Sequence, residues 1–236
     1  MFMTKDLFFV YIFTTMIKLV VLDVDGTLTD KSRMISVNAV NAIRNLKTKV
    51  ALVSGNVLPV LYGLKIYIGF DGYIFAENGG IALINNNIEK FFEKDGPESF
   101  LNDISGYTSA RGILTNRWRE TSMAFTANHD EMDIIDREAA SRDLYIVDSG
   151  FTLHILNKGQ DKGFAVKKMI DIMNIDYNNV LVIGDSQNDE SMFSLGTLSA
   201  CPGNASEKIK EMSNYVSGKC YGDELFDVFR HFDLIH

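Results

Sequence analysis

Little cysteine, little proline and no block of basic charge mark this 236-residue sequence. Two cysteines, Cys201 and Cys220, are too few and too far apart for a zinc cluster or a disulfide framework, which points to reduced thiols in a cytoplasmic protein. The four histidines, His129, His154, His231 and His236, form no pair at helical spacing, so they read as surface or internally satisfied side chains and not as metal ligands. Three prolines, Pro59, Pro97 and Pro202, mark no long linker, and no repeat or low-complexity tract interrupts the chain. Lysine and arginine number 23 against 31 acidic residues, a net charge of -8, and nowhere cluster. That balance argues against a general affinity for nucleic acid, so any phosphate must be met locally.

A long hydrophobic run is also missing. The apolar stretch from Leu7 is broken by Thr14, Thr15 and Lys18, has no small-residue cleavage site, and runs directly into a strand at Lys18 to Asp23. Neither a signal peptide nor a membrane span is expected from it. Met16 is read as the natural start and residues 1–15 as an upstream extension outside the fold; the alternative is a tether made of those residues.

What is present is a hydrophobic share of 46%, enough for a substantial core, and short apolar runs that alternate with helix-patterned segments. Continuous apolar runs such as VALVSGN and VLVIGD suit strands covered on both faces. Strands are expected at Leu19 to Val24, Val50 to Ser54, Gly72 to Ala76, Val180 to Gly184, Leu198 to Ala200 and Tyr215 to Val216. Between Gly80 and about Asn157 the pattern changes to a hairpin closed by three asparagines, polar helices and separated strands, an α+β block. The fold class is therefore α/β, a Rossmann-like parallel sheet core in two pieces, 16–79 and 158–236, with a smaller domain, 80–157, inserted between them.

Ligands of open parallel sheets bind at the carboxyl ends of the strands. There the sequence delivers Asp23 and Asp25 from VVLDVDGT, Ser54 from VALVSGN, and Asp185 with Asp189 from VLVIGDSQND; Lys162 opens the helix after NKGQD. Carboxylates gathered this closely repel one another, and a divalent cation resolves the conflict. Oxygen-only ligation favours Mg²⁺. In that setting Asp23 is placed as a nucleophile toward phosphorus, and Asp25 as the acid/base two residues on. Ser54 and Lys162 would bind the phosphoryl group.

DVDGT, SGN, the lysine of NKGQDKG and GDSQNDESM together resemble the four motifs of the haloacid dehalogenase-like phosphatases, and the insert's position resembles a C2-type cap. SGNVLPVLYGLKIYIG, FAENGGI, ILTNRWRE and ACPGNASEKIK resemble the archaeal phosphoglycolate phosphatase family. The resemblance implies Mg²⁺-dependent hydrolysis of 2-phosphoglycolate to glycolate and phosphate. It implies Asp23 as nucleophile and metal ligand, Asp25 as acid/base with its backbone carbonyl on the metal, Asp185 and Asp189 as metal ligands, and Lys162 as a substrate ligand.

Plainer readings stand beside these. Asp and Gly after a strand often make only a turn, Ser54 can start a helix near Asn56, Lys162 can be a solvated helix entrance, and Asn188 can orient Asp189. Arg117 and Arg119 alternate with Trp118 on an expected strand and read first as cations on a wet face beside Glu120; the sharper reading is that one reaches the substrate carboxylate. Glu77 and Asn78 would line that pocket or serve as a hinge. The expected partner is a small phosphorylated carboxylate or sugar, with no nucleic acid and no membrane. Rival functions are a sugar-phosphate or broad small-molecule phosphatase of the same superfamily and, in another class, a phospho-accepting signalling module.

Overall fold

A computed structural model describes residues 16–236. The reading of residues 1–15 as an upstream extension lies outside the described residues. In chain order the elements are β1 (Leu19–Leu22), α1 (Val37–Asn45), β2 (Lys49–Val53), α2 (Leu58–Ile68), β3 (Gly72–Ala76), β4 (Ile81–Ile84) and β5 (Asn87–Lys90). There follow α3 (Asp95–Ile104), β6 (Arg111–Gly112), β7 (Met123–Thr126), α4 (Met132–Ala140), β8 (Leu144–Asp148) and β9 (Leu153–Asn157). The chain closes with α5 (Lys162–Met173), β10 (Val180–Ile183), α6 (Glu190–Phe193), β11 (Leu198–Cys201), α7 (Glu207–Met212), β12 (Tyr215–Val216) and α8 (Glu224–His231).

Among the described residues eight strands form one sheet in the order β12-β11-β10-β1-β2-β3-β4-β5, and four form another in the order β6-β7-β9-β8. From β12 to β3 the large sheet is parallel. Its central strand shows why: in LVVL every residue is buried, with Leu19 and Val21 packed into one apolar cluster and Val20 and Leu22 into the cluster on the opposite face. Helices cover both faces, as an all-apolar strand requires. Local chemistry sets their ends. Ser36 accepts from the Ala39 N–H to start α1, Asp161 accepts from the Phe164 N–H to start α5, and Asn174, in the left-handed region, stops α5.

The β4–β5 hairpin turns through Asn85 and Asn86, both at positive φ, as a two-residue hairpin turn demands. It pairs antiparallel with β3 and so extends the large sheet, although its sequence pattern had grouped it with the insert. The antiparallel sheet has its own apolar cluster, built around Phe100, Ile104, Phe125, Ile135 and Ile155. The expected strand through Arg117 to Arg119 is absent; Leu114–Trp118 forms a 3-10 turn leading into β7. Both cysteines are free thiols. Among the described residues no helix is long and apolar enough to cross a membrane.

Candidate active site

β1 lies between β10 and β2, and the connections from it run outward in opposite directions, so the crevice at its carboxyl end is where ligands of such sheets sit. The strand ends at Leu22, one residue short of Asp23, whose N–H still donates to Ile183 O at 2.9 Å. The chain then turns sharply, Leu28 and Thr29 both donating to Val24 O. Gly26, at φ 84°, leaves no room for a side chain: a Cβ there would lie 2.3 Å from Asp185 Oδ2. The residue after the two aspartates is thus glycine both for its backbone conformation and for the close approach of the β10 loop.

Four of the residues expected at the site converge. Lys162, wholly buried, donates from Nζ to Asp23 Oδ1 and Asp189 Oδ1, each at 2.6 Å, and to Asn188 Oδ1 at 3.1 Å. It is therefore an internal ammonium and not a solvated helix entrance. The second oxygen of Asp189 accepts from the Asp185 and Ser186 N–H groups, which fixes the loop. Carboxylate oxygens of Asp23, Asp185 and Asp189 lie within 4.8 Å of one another, and the three could hold a metal ion.

Their electrostatics show a deficit of positive charge. Burial pushes the Asp23 carboxyl well above the usual carboxylate range, Lys162 opposing and Asp189 and Asp185 reinforcing. Burial, helped by Asp189, lifts Asp185 to about 7. Burial works against the charge of Lys162, but Asp189 and Asp23 outweigh it and raise its pKa. One ammonium does not compensate three carboxylates, and a hard divalent cation suits an all-oxygen set. The linkage is testable without metal. Asp185 titrates near 3.8 when unperturbed and near 7 here, so its folded-state proton favours folding below about pH 4, and that contribution is lost as the pH rises through 7. In EDTA the Tm of the wild-type protein, taken relative to Asp185→Asn, is expected to fall between pH 4 and 7.5. Added divalent cation should remove the fall; a flat difference in EDTA would contradict the charge-deficit account.

Asp25 stands apart from this cluster, in the turn and not on the strand. Arg33 Nε donates to its Oδ1 at 2.9 Å and Asn56 Nδ2 to its Oδ2 at 2.7 Å. Asn56 also donates to Ser54 Oγ at 3.1 Å from both its backbone and its side chain, while Arg33 Nη2 donates to Asn56 Oδ1 at 3.0 Å. Ser54 is buried, so its hydroxyl is part of this network as well as of the turn before α2. Arg33 had no local signal in the sequence: it holds Asp25 from a loop and reaches across to Phe151, its guanidinium 5.2 Å from the ring centre.

Arg117 and Arg119 separate. Arg117 lies over Trp118, whereas Arg119 is 4% exposed, contrary to a place on a wet face, and donates to Ser122 Oγ and to Gly55 O. Glu77, fully buried, accepts from the Glu120 and Thr121 N–H groups and from the Thr121 and Ser122 hydroxyls. This carboxylate clamps the start of β7 to the end of β3.

A model of the family described as haloacid dehalogenase-like hydrolase matches residues 20–140 and 120–223. The chain belongs to the haloacid dehalogenase-like hydrolase family. Among relatives of this hydrolase, a phosphoglycolate phosphatase of Thermoplasma acidophilum is 47% identical over 224 residues, covering 93% of this chain and 100% of that protein. A phosphoglycolate phosphatase of Methanosarcina acetivorans is 33% identical, covering 87% and 92%. A crystal structure of a Thermoplasma acidophilum protein superposes on this hydrolase with a TM-score of 0.91 at 46% identity, over 93% of this chain and 100% of that one. The sucrose-phosphatase of Synechocystis shares the fold at a TM-score of 0.72 and 14% identity, over 94% and 100%.

Proposed function

We propose that this hydrolase is a Mg²⁺-dependent phosphatase that converts 2-phosphoglycolate to glycolate and phosphate. The observation that carries the reaction is the buried Lys162 ammonium held between Asp23 and Asp189 at the carboxyl end of β1. The substrate is supported by relatives up to 47% identical that are named phosphoglycolate phosphatase.

In this reading Asp23 Oδ attacks phosphorus, the ester P–O bond breaks, and Asp25 gives its proton to the departing glycolate oxygen. Asp25 then takes a proton from water, whose oxygen attacks the phosphorus of the aspartyl-phosphate, releasing inorganic phosphate and returning Asp23. Lys162 and Ser54 bind the phosphoryl oxygens, and Lys162 also tempers the repulsion between carboxylates and a dianionic substrate. Asp23, Asp185 and Asp189, with the Asp25 carbonyl, would hold Mg²⁺. When bound, the ion supplies the positive charge that keeps these carboxylates ionised and offsets the phosphoryl charge. The chain is read as a two-part core, completed by the β4–β5 hairpin, and a cap that shields the intermediate from bulk water.

A larger phosphate ester is a second reading, favoured by a cleft of about 920 Å³ between the antiparallel sheet and the Gln187 to Ser194 segment. Phosphate release measured across phosphoglycolate, hexose phosphates and p-nitrophenyl phosphate tests both. Phosphoglycolate is expected to give the highest kcat/KM, and EDTA to abolish release until Mg²⁺ is restored. Hexose phosphates turning over faster would overturn the substrate, and full activity in EDTA would overturn the ion.

A further inference from the structure

Three buried polar side chains that the phosphoryl chemistry does not use meet at Gly55, the residue after Ser54. Arg119 Nη2 donates to Gly55 O at 3.0 Å, and a Cβ on Gly55 would lie 3.3 Å from Asn78 Nδ2 and 3.3 Å from His154 Nε2. They come from different parts of the chain: Asn78 from the end of β3, Arg119 from the approach to β7, His154 from β9. Asn78 is 2% exposed, His154 3% and Arg119 4%. Yet among the described residues Asn78 Nδ2 and Oδ1, Arg119 Nε and His154 Nδ1 have no hydrogen-bond partner. Buried polar atoms are rarely left unpaired, and four on three side chains that meet at one glycine are costly for a fold alone.

The charge is unbalanced as well. Among the described residues Arg119 bonds only neutral oxygens, those of Ser122 and Gly55. Glu77, the acid nearest in effect, has its carboxylate taken up by the 120–122 segment. Burial lowers the Arg119 pKa to about 10 against the pull of Glu77. His154 is kept neutral by burial and by the Arg119, Lys162 and Arg33 charges. Its Nε2 faces the Thr152 and Ser149 hydroxyls, and in the tautomer in which Nε2 accepts from them Nδ1 carries the proton and donates. The three side chains thus offer several donors, include a guanidinium without a carboxylate partner among the described residues, and adjoin the hydroxyl that would bind the phosphoryl group.

We propose that Arg119, Asn78 and His154 form the subsite that selects the carboxylate of the substrate's leaving group. The proposal rests on the phosphoglycolate reading and deepens it. A guanidinium fork pairs with a carboxylate through two parallel hydrogen bonds, and the Asn78 amide and His154 N–H complete the set. A neutral end in the same place leaves the buried guanidinium unpaired, which is how a polar site rejects an analogue. Because all three side chains are buried, substrate would reach the subsite only if the two sheets part.

The test compares 2-phosphoglycolate with 2-hydroxyethyl phosphate, in which a hydroxymethyl group replaces the carboxylate. The readout is the ratio of the two kcat/KM values, in wild type, Arg119→Lys, Asn78→Gly and Arg117→Lys. Asn78→Gly keeps the left-handed backbone and loses no side-chain hydrogen bond, so it does not depend on the brace that Arg119 gives Gly55. Arg119→Lys and Asn78→Gly are expected to lower the ratio by about 30-fold or more, chiefly by raising KM for phosphoglycolate. Arg117→Lys should leave it unchanged. If wild type does not favour phosphoglycolate over hydroxyethyl phosphate, the substrate reading falls and the subsite with it. If wild type favours it and the Arg119 and Asn78 variants keep that preference, losing activity equally on both substrates or on neither, the subsite alone is overturned.

Discussion

Asp23→Asn should end phosphate release while leaving the fold intact. The substitution keeps the shape of the side chain and removes the proposed nucleophile, so kcat is expected to fall by at least about 10³-fold, the scale on which covalent catalysis is lost with its attacking group. Stability should hold or rise. The Asp23 carboxyl is wholly buried among like charges that raise its pKa, and a neutral amide relieves both desolvation and repulsion. Acid-quenched wild-type enzyme caught during turnover should carry a phosphoryl group on the peptide containing Asp23, and the variant should not. A folded Asp23→Asn protein that turns over at the wild-type pace would dismiss the aspartyl-phosphate route altogether.

Lys162→Met is expected to lose both activity and stability, the reverse of the Asp23 pattern. The ammonium is buried and is the cation that Asp23 and Asp189 both contact at 2.6 Å. Removing one partner of a buried ion pair strands the other, at a cost of about 3–5 kcal/mol. The catalytic loss should persist at saturating substrate, because in the proposed reaction the ammonium also faces the phosphoryl charge in the transition state. Adding Asp23→Asn to Lys162→Met should recover part of the stability and none of the activity. A double-mutant cycle by urea unfolding measures that coupling; strict additivity would mean that the pair does not interact as its geometry indicates.

The parallel sheet was legible because its strands are continuously apolar. A run such as LVVL or VLVI can be covered on both faces only inside a layered α/β structure, and the residues ending those runs are the carboxylates that the β1 crevice collects. What escaped was non-local. The β4–β5 hairpin was recognisable as a hairpin, but its partner, β3, is chosen by sheet pairing that alternation within the hairpin does not encode. Arg119 was misplaced for a related reason. Alternating Arg-Trp-Arg-Glu suits a half-wet strand, whereas a 3-10 turn through Trp118 redirects the chain so that Arg119 points to Gly55. Arg33 gave no signal at all, since its contact with Asp25 depends on a loop in the left-handed region closing over the turn.

Glu77 and Asn78, both at φ 53°, carry the chain out of β3, and their N–H groups bond Asn56 O and Ser54 O. Asn56 in turn grips Asp25. The path by which the polypeptide leaves the large sheet is therefore riveted to the loop that steadies Asp25, the proposed proton donor. A swing of the antiparallel sheet about this crossing would tug on Asp25 through Asn56, whose carbonyl holds the Glu77 N–H and whose side-chain amide holds the carboxylate.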